Sequence, residues 1–145
     1  MVLAGRKIND EMSIWLADQI ILEMRERNII LSNSKVLILG FTFKENCPDI
    51  RNTKVYEVIK ILLQKNINID ITDPYVNPKE VKEVYGLDIS NSLYKNVKYN
   101  AVVCTVAHKF FTELEKSTWK KLIKGKGIIF DLKGIVPREL NPVRI

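Results

Sequence analysis

A chain of 145 residues, 46% hydrophobic and 28% charged, is long enough for one domain with a proper core and too apolar for disorder. The formal net charge of +6 favours an anionic partner without naming one. A single histidine, His108, excludes a multi-histidine metal site, and two cysteines are too few for a disulfide framework and too far apart for a zinc pair.

The opening "MVLAGRKIND" lacks the basic-then-apolar order of a secretion signal. Asp and Lys interrupt the apolar runs far short of a membrane span. A cytoplasmic location without a membrane partner is expected. Residues 8–28 then hold no Gly or Pro and place Ile8, Met12, Trp15, Leu16, Ile20, Ile21 and Met24 at spacings of three and four, a helical period. Ile14, Ala17 and Leu22 widen the stripe beyond one face. A helix apolar on more than one side is normally covered on more than one side. One face is therefore expected on this domain and another at a subunit or domain interface, the alternative being complete burial within the domain.

Polar Ser32, Asn33 and Ser34 end that helix, and "KVLILG" follows without alternation, as in a strand covered on both faces. Residues 53–65 return to helical spacing through Val55, Val58, Ile59, Leu62 and Leu63. "INIDITDP" reads as a second strand closed by Asp73-Pro74. "NPKEVKEVYG" predicts a short helix with Asn77 as N-cap and Pro78 in its first turn. "YNAVVCTVAH" reads as a third strand, "TELEKSTWKKLI" as a helix, "KGIIFDLKG" as a fourth strand and "LDIS" as a minor edge piece. Strands alternating with helices predict an α/β fold, a Rossmann-like doubly wound parallel sheet preceded by a long N-terminal helix. The helix occupies residues 1–31 and the α/β domain residues 32–145.

The connector after the first strand, "GFTFKENCPDIRNT" at residues 40–53, spends a dozen residues where a few suffice. Ligands of open α/β sheets bind outside the carboxyl ends of the strands. Those ends carry this connector, Asp73, "TVAH", and Asp131 with Lys133. Arg51 also precedes a candidate N-cap, Thr53, where free N–H groups favour an anion. Lys44 and Arg51 suit a phosphate or carboxylate cradle. A solvated turn in which they pair with Glu45 and Asp49 suits the same residues equally well. Only Gly40 occupies the turn, so the architecture of a dinucleotide binder lacks its G-x-G-x-x-G phosphate loop.

Other residues at this edge have plainer readings. His108 as a general base needs an orienting acceptor, and a structural cap or cleft-lining role is preferred. Asp73 stands where Rossmann domains hold a ribose, but an Asp-Pro turn is preferred. Asp131 is expected to bond nearby backbone or to orient Lys133. Trp15 and Trp119 read as packing. "KSTWKKLIKGK" reads as a solvated helix face, without a recognised nucleic-acid motif.

"AGRKINDEM", "KVLILGFTFKENCPDIRNTKV", "ITDPYV" and "FDLKGI" together resemble, over essentially the whole chain, the C-terminal part of NAD-dependent nucleotide-sugar 6-dehydrogenases, the UDP-glucose/GDP-mannose dehydrogenase family. The connector is most similar to the bacterial branch that oxidises UDP-N-acetyl-hexosamines to uronates for surface polysaccharide. The resemblance implies oxidation of the sugar's C6 alcohol to a carboxylate by two NAD, through a covalent cysteine intermediate. It implies an N-terminal Rossmann domain holding NAD, a long central helix forming the homodimer, and a C-terminal domain covering the UDP-sugar. By position it implies that Lys44 contacts the UDP-sugar and that Phe43 lines the nucleotide pocket. Lys133 would touch the UDP-sugar where an arginine is common, and Arg51 would reach NAD across the interdomain cleft. Arg6, with Asn9 in the same turn, would reach the substrate of the neighbouring subunit.

The sequence departs from the family pattern in having no glycine-flanked nucleophilic cysteine and no catalytic lysine and asparagine. Cys47 has no histidine or helix start beside it to lower its pKa, and Cys104 is mid-strand and expected to be packed. No catalytic residue and no metal site are assigned. The chain is expected to be the UDP-sugar-binding and dimerising portion of such an enzyme, acting on a UDP-N-acetyl-hexosamine or UDP-glucose, with the N-terminal NAD-binding catalytic domain absent, and inactive alone. Two alternatives stay beside this: a stand-alone UDP-sugar-binding and dimerisation module without chemistry, and a nucleic-acid-associated Rossmann-like domain.

Overall fold

A computed structural model describes residues 2–42, 44–51 and 53–144, with the backbone alone for residues 2–10. "KVLIL" forms β1 (Lys35–Leu39), and its side chains divide between two cores. Val36 and Ile38 join one core, Leu37 and Leu39 the other. Cover on both faces is why the run shows no polar alternation. β2 (Asn68–Thr72), β3 (Tyr99–Cys104), β4 (Ile123–Asp131) and β5 (Val143–Arg144) complete a sheet of order β2-β1-β3-β4-β5. Every pairing is parallel. The two-sided division recurs along it: Ala101 and Val103 face the first core, Val102 and Cys104 the second.

Helices cover both faces. α1 (Val2–Glu26), α2 (Val55–Gln64) and α3 (Pro78–Tyr85) build the first core, with Ala17, Ile20 and Met24, then Val58, Ile59 and Leu62, then Val81. α4 (Lys109–Thr112) and α5 (Lys116–Leu122) cover the second face through Phe111, Trp119 and Leu122. Burying each such large apolar side chain contributes roughly 1.5–3 kcal/mol. The architecture is the expected one, a Rossmann-like doubly wound parallel sheet behind a long N-terminal helix. Strand order reverses between β1 and β3, so the crevice of this fold opens at their carboxyl ends.

Several elements differ from the sequence reading. The helix expected from "TELEKSTWKKLI" forms only over α5, and the short α4 precedes it as a separate element, with Leu114 between them packed on the second core. "LDIS" contributes only a bridge between Thr72 and Ser90. β5 is a fifth strand too short to carry a period, pairing Val143 and Arg144 with Phe130 and Asp131. α2 starts one residue later than expected, with Lys54 at its cap, although Thr53 Oγ1 still accepts from Val55 N at 3.2 Å. α3 follows expectation: Asn77 Oδ1 accepts from Lys79 N at 3.0 Å, and Gly86 closes the helix at φ +70°.

α1 is apolar on two sides, and only one is covered by this chain. Ala17, Ile20, Ile21 and Met24 are buried, whereas Met12, Ile14, Trp15 and Leu22 are 46–53% exposed. Trp15 is thus half in solvent rather than packed, while Trp119 is buried. Among the described residues no helix is long and apolar enough to cross a membrane.

Candidate functional site

The long connector is built on one obligatory glycine. Gly40 leaves β1 at φ +105°, and a Cβ there would lie 2.6 Å from Val106 Cβ. Both its dihedral and the close approach of the β3 end require a residue without a side chain. Thr105 Oγ1 then donates within reach of Leu39 O (2.9 Å) and Gly40 O (2.6 Å), clamping the ends of β1 and β3 together.

The first half of the connector is held by two wholly buried residues from the flanking strands, Asp73 after β2 and His108 after β3. Asp73 Oδ2 accepts from Phe41 N (2.7 Å), Thr42 N (3.1 Å) and His108 Nε2 (2.9 Å). Its Oδ1 accepts from Tyr75 N at 2.9 Å. Burial opposes ionisation of Asp73, but the bonds from His108, Phe41 and Tyr75 outweigh it and hold the carboxyl below its usual range. His108 Nδ1 accepts from Asn46 N at 2.8 Å, so the ring proton sits on Nε2, shared between Asp73 and Thr42 Oγ1 at 3.1 Å. Thr42 Oγ1 in turn donates to Lys44 O at 2.8 Å, and Asn46 Oδ1 accepts from Lys109 N at 2.7 Å.

The second half is held by packing. Ile50 is buried, and its carbonyl accepts from Tyr85 Oη at 2.6 Å. The Tyr85 ring meets Phe41 edge-on at 5.2 Å and Tyr56 at 4.7 Å. The connector is therefore a fastened structure that presents Lys44, Cys47 and Arg51 at its surface. Its exposure is not looseness.

A cleft of about 300 Å³ opens beside it. Met12, Trp15 and Leu16 of α1 form one wall, Lys54 and Val58 another, and Thr105 with Lys133 the floor at the carboxyl edge. A recess lined by Thr42, Glu45 and Val106 shares Lys54, Thr105 and Lys133 with it. Two cations, Lys54 at the start of α2 and Lys133 after β4, thus face one opening. Lys133 rides on a turn shaped by buried Asp131, which accepts from Ile135 N (3.1 Å) and Val136 N (3.0 Å). Asp131 bonds backbone as expected, and its charge partner is Arg144 at 3.3 Å.

The sequence candidates separate accordingly. Lys133 lines the cleft; Lys44 and Arg51 are exposed and are not among its lining residues. Arg51 forks onto Asp49, Nε to Oδ1 at 3.0 Å and Nη2 to Oδ2 at 3.1 Å, with its side chain 84% exposed. These bonds hold Asp49 below the usual carboxylate range and raise Arg51 further. Phe43 and the side chains of Arg6 and Asn9 lie outside the described residues. Lys54 is the cleft residue that the sequence reading missed. Its only signal was adjacency to the helix start, which Thr53 had already claimed.

The remaining candidates take structural places. His108 has its orienting acceptor in Asp73, but a wholly buried ring reaches no substrate. It occupies the cap position of α4, yet its side chain caps the connector instead. Asp73 is wholly buried and engaged by four donors, so it presents no oxygen at the surface for a ribose. With no glycine-rich loop beside it, the β1 edge does not fit the binding of a whole dinucleotide. Burial pushes the Cys104 thiol up to about 12, with the Asp131 charge adding to it, and its Sγ lies 3.8 Å from Val106 O. Cys47 is partly exposed.

Residues 37–138 match the UDP binding domain of the UDP-glucose/GDP-mannose dehydrogenase family. The chain is 41% identical over 145 residues to a UDP-N-acetyl-D-glucosamine 6-dehydrogenase of Salmonella typhi, covering all of this chain and 34% of that protein. Among solved structures, it superposes on a UDP-N-acetyl-mannosamine dehydrogenase from Staphylococcus aureus with TM-score 0.69 and 29% identity, over 91% of this chain and 29% of that one. An NDP-N-acetyl-D-galactosaminuronic acid dehydrogenase from Methanosarcina mazei Go1 gives TM-score 0.82 at 24% identity, a likeness of fold, over 95% of this chain and 28% of that one. The chain spans about a third of the length of the curated relatives it matches.

Proposed function

The chain belongs to the UDP-glucose/GDP-mannose dehydrogenase family, and from that premise we propose that it is the UDP-sugar-binding and dimerising portion of an NAD-dependent nucleotide-sugar 6-dehydrogenase. The observation that carries this reading is the convergence of Lys54 and Lys133 on one cleft at the carboxyl edge, beside the start of α2. Two ammonium point charges and the free N–H groups of a helix start are suited to a diphosphate. The substrate class is a UDP-N-acetyl-hexosamine, the sugar type named for the relatives above.

Lys44 reaches the UDP-sugar from the fastened connector, and Phe43 lines the nucleotide pocket beside it. Arg6 reaches the substrate of a second copy. Arg51 meets the NAD held outside this domain; its pair with Asp49 is exposed and screened by solvent, too weak to prevent the exchange. Dimerisation uses the apolar face of α1 around Met12, Trp15 and Leu22. The chain alone forms no NADH from a UDP-sugar and NAD.

Retention on immobilised UDP tests the reading. Elution by free UDP but not by ADP is the expected result. Passage through the resin at low salt would overturn it.

A further inference from the structure

The connector could have been fastened by apolar packing at both ends, as Ile50 and Tyr85 fasten its second half. Its first half instead hangs on an imidazole with no exposure at all, the one histidine of the chain. We propose that His108 is a positioning residue for the nucleotide site, holding the Lys44-bearing connector as a neutral, Nε2-protonated ring and releasing it on protonation. The inference rests on the UDP-sugar reading for its functional consequence, but its mechanism stands on the geometry of the ring.

The ring is used at both nitrogens. Nδ1 accepts from Asn46 N at 2.8 Å, and Nε2–H points to Asp73 Oδ2 at 2.9 Å and Thr42 Oγ1 at 3.1 Å. A neutral imidazole satisfies this set and an imidazolium does not, because a proton on Nδ1 would face the Asn46 N–H donor to donor. Backing away breaks the Asn46 bond. It also loosens Asn46 Oδ1 from Lys109 N, so the tie between connector and α4 opens at two points. Thr42 bridges the ring to Lys44 O, which carries the displacement to the cation two residues further on.

The groups around the ring set which way it yields. Asp73 faces it from the end of β2, and the Tyr75 ring lies at 4.6 Å in the following turn. The connector meets it through Thr42 and Asn46, and α4 through the Phe111 ring at 5.6 Å, none of which ionises. The charged residues nearest in sequence, Lys44, Glu45 and Lys109, are exposed. Asp73 Oδ2 accepts from Nε2–H whether the ring is neutral or protonated, and its bonds to Phe41 N and Thr42 N hold it in place. The Asn46 bond is then the one that gives.

Two readouts on the whole chain separate this inference from the UDP reading. Amide exchange at Asn46, corrected for its intrinsic pH dependence, should show protection that collapses across the pH range where the His108 ring resonances titrate. UDP affinity by calorimetry should fall about tenfold over the same range. His108→Asn keeps an acceptor for Asn46 N and does not titrate, so it should retain protection and lose the pH dependence. His108→Phe should lose protection at every pH; should that variant fail to fold, the wild-type titration decides. Asn46 protection unchanged through the ring's titration, an Nδ1-protonated neutral ring, or a ring neutral until the chain unfolds would overturn the proposal. So would UDP affinity indifferent to the titration. A latch that opens as described in a chain that binds no UDP would sink the UDP reading and leave the latch.

Discussion

Nε2 of His108 lies 2.9 Å from Oδ2 of Asp73, and neither side chain has any exposure. The two residues follow the strands on either side of β1, so their contact passes beneath the connector that β1 releases. Asp73 is the more heavily used partner, accepting from three backbone N–H groups besides the ring. Replacing it by Ala strands those donors in a dry site, and Asp73→Ala should lose about 3 kcal/mol of unfolding free energy in urea. A loss below about 1 kcal/mol would show that the clasp is idle.

The same carboxylate sets an acid limit. Asp73 is depressed in the folded chain, so the unfolded chain binds the extra proton. Its contribution is present above the unfolded value, near pH 4, and is lost as pH falls through the lower folded value. Asp73→Asn should therefore flatten the stability profile below about pH 4. A variant profile that falls in parallel with wild type would contradict this.

Gly40→Ala tests the turn that starts the connector. The added Cβ meets Val106 Cβ at 2.6 Å on a backbone of φ +105°, so clash and strain act together. A loss of about 2–4 kcal/mol is expected in denaturant unfolding, and trimming the neighbour in Gly40→Ala/Val106→Ala should return only the steric part. An unchanged midpoint for Gly40→Ala would contradict the geometry.

The thiols should differ sharply. Cys104 is buried with its thiol pushed up to about 12, whereas Cys47 is partly exposed. Iodoacetamide near neutral pH should alkylate Cys47 alone in the folded chain, as read by mass spectrometry. Labelling of Cys104 without denaturant would contradict its place in the core.

Dimerisation through α1 predicts a change of mass and a loss of concentration dependence together. Trp15 is half exposed on that face, so Trp15→Glu should convert the dimer to a monomer in analytical ultracentrifugation and leave an unfolding midpoint that no longer rises with protein concentration. A wild-type monomer, or a variant that stays dimeric, would remove the dimer from the account.

Periodicity made most of the fold legible. "KVLIL", with no alternation, signalled a strand covered on both sides, and Val36/Ile38 against Leu37/Leu39 is that cover. The two-sided stripe of α1 was equally readable, although which residues faced solvent was not, since Ala17 and Trp15 exchange the places their sizes suggest. The site was read less well, because ion pairing is a matter of distance rather than spacing. Arg51 and Asp49 are two residues apart, and nothing in the letters separated a phosphate cradle from the fork that forms. Lys54 and Lys133 stand far apart along the chain and meet only through the sheet order. The Asp73–His108 clasp left a faint signal: two polar residues closing strands, "ITDP" and "TVAH", that the topology places on either side of β1.

Calorimetric titration of the chain with UDP, alongside Lys44→Ala, Lys133→Ala and Lys54→Ala, decides whether this edge grips a diphosphate. Wild type should bind UDP with an affinity that weakens as salt rises, bind uridine far more weakly, and lose about tenfold with each lysine. No heat with UDP, or binding that none of the three substitutions disturbs, would contradict a diphosphate grip at this edge.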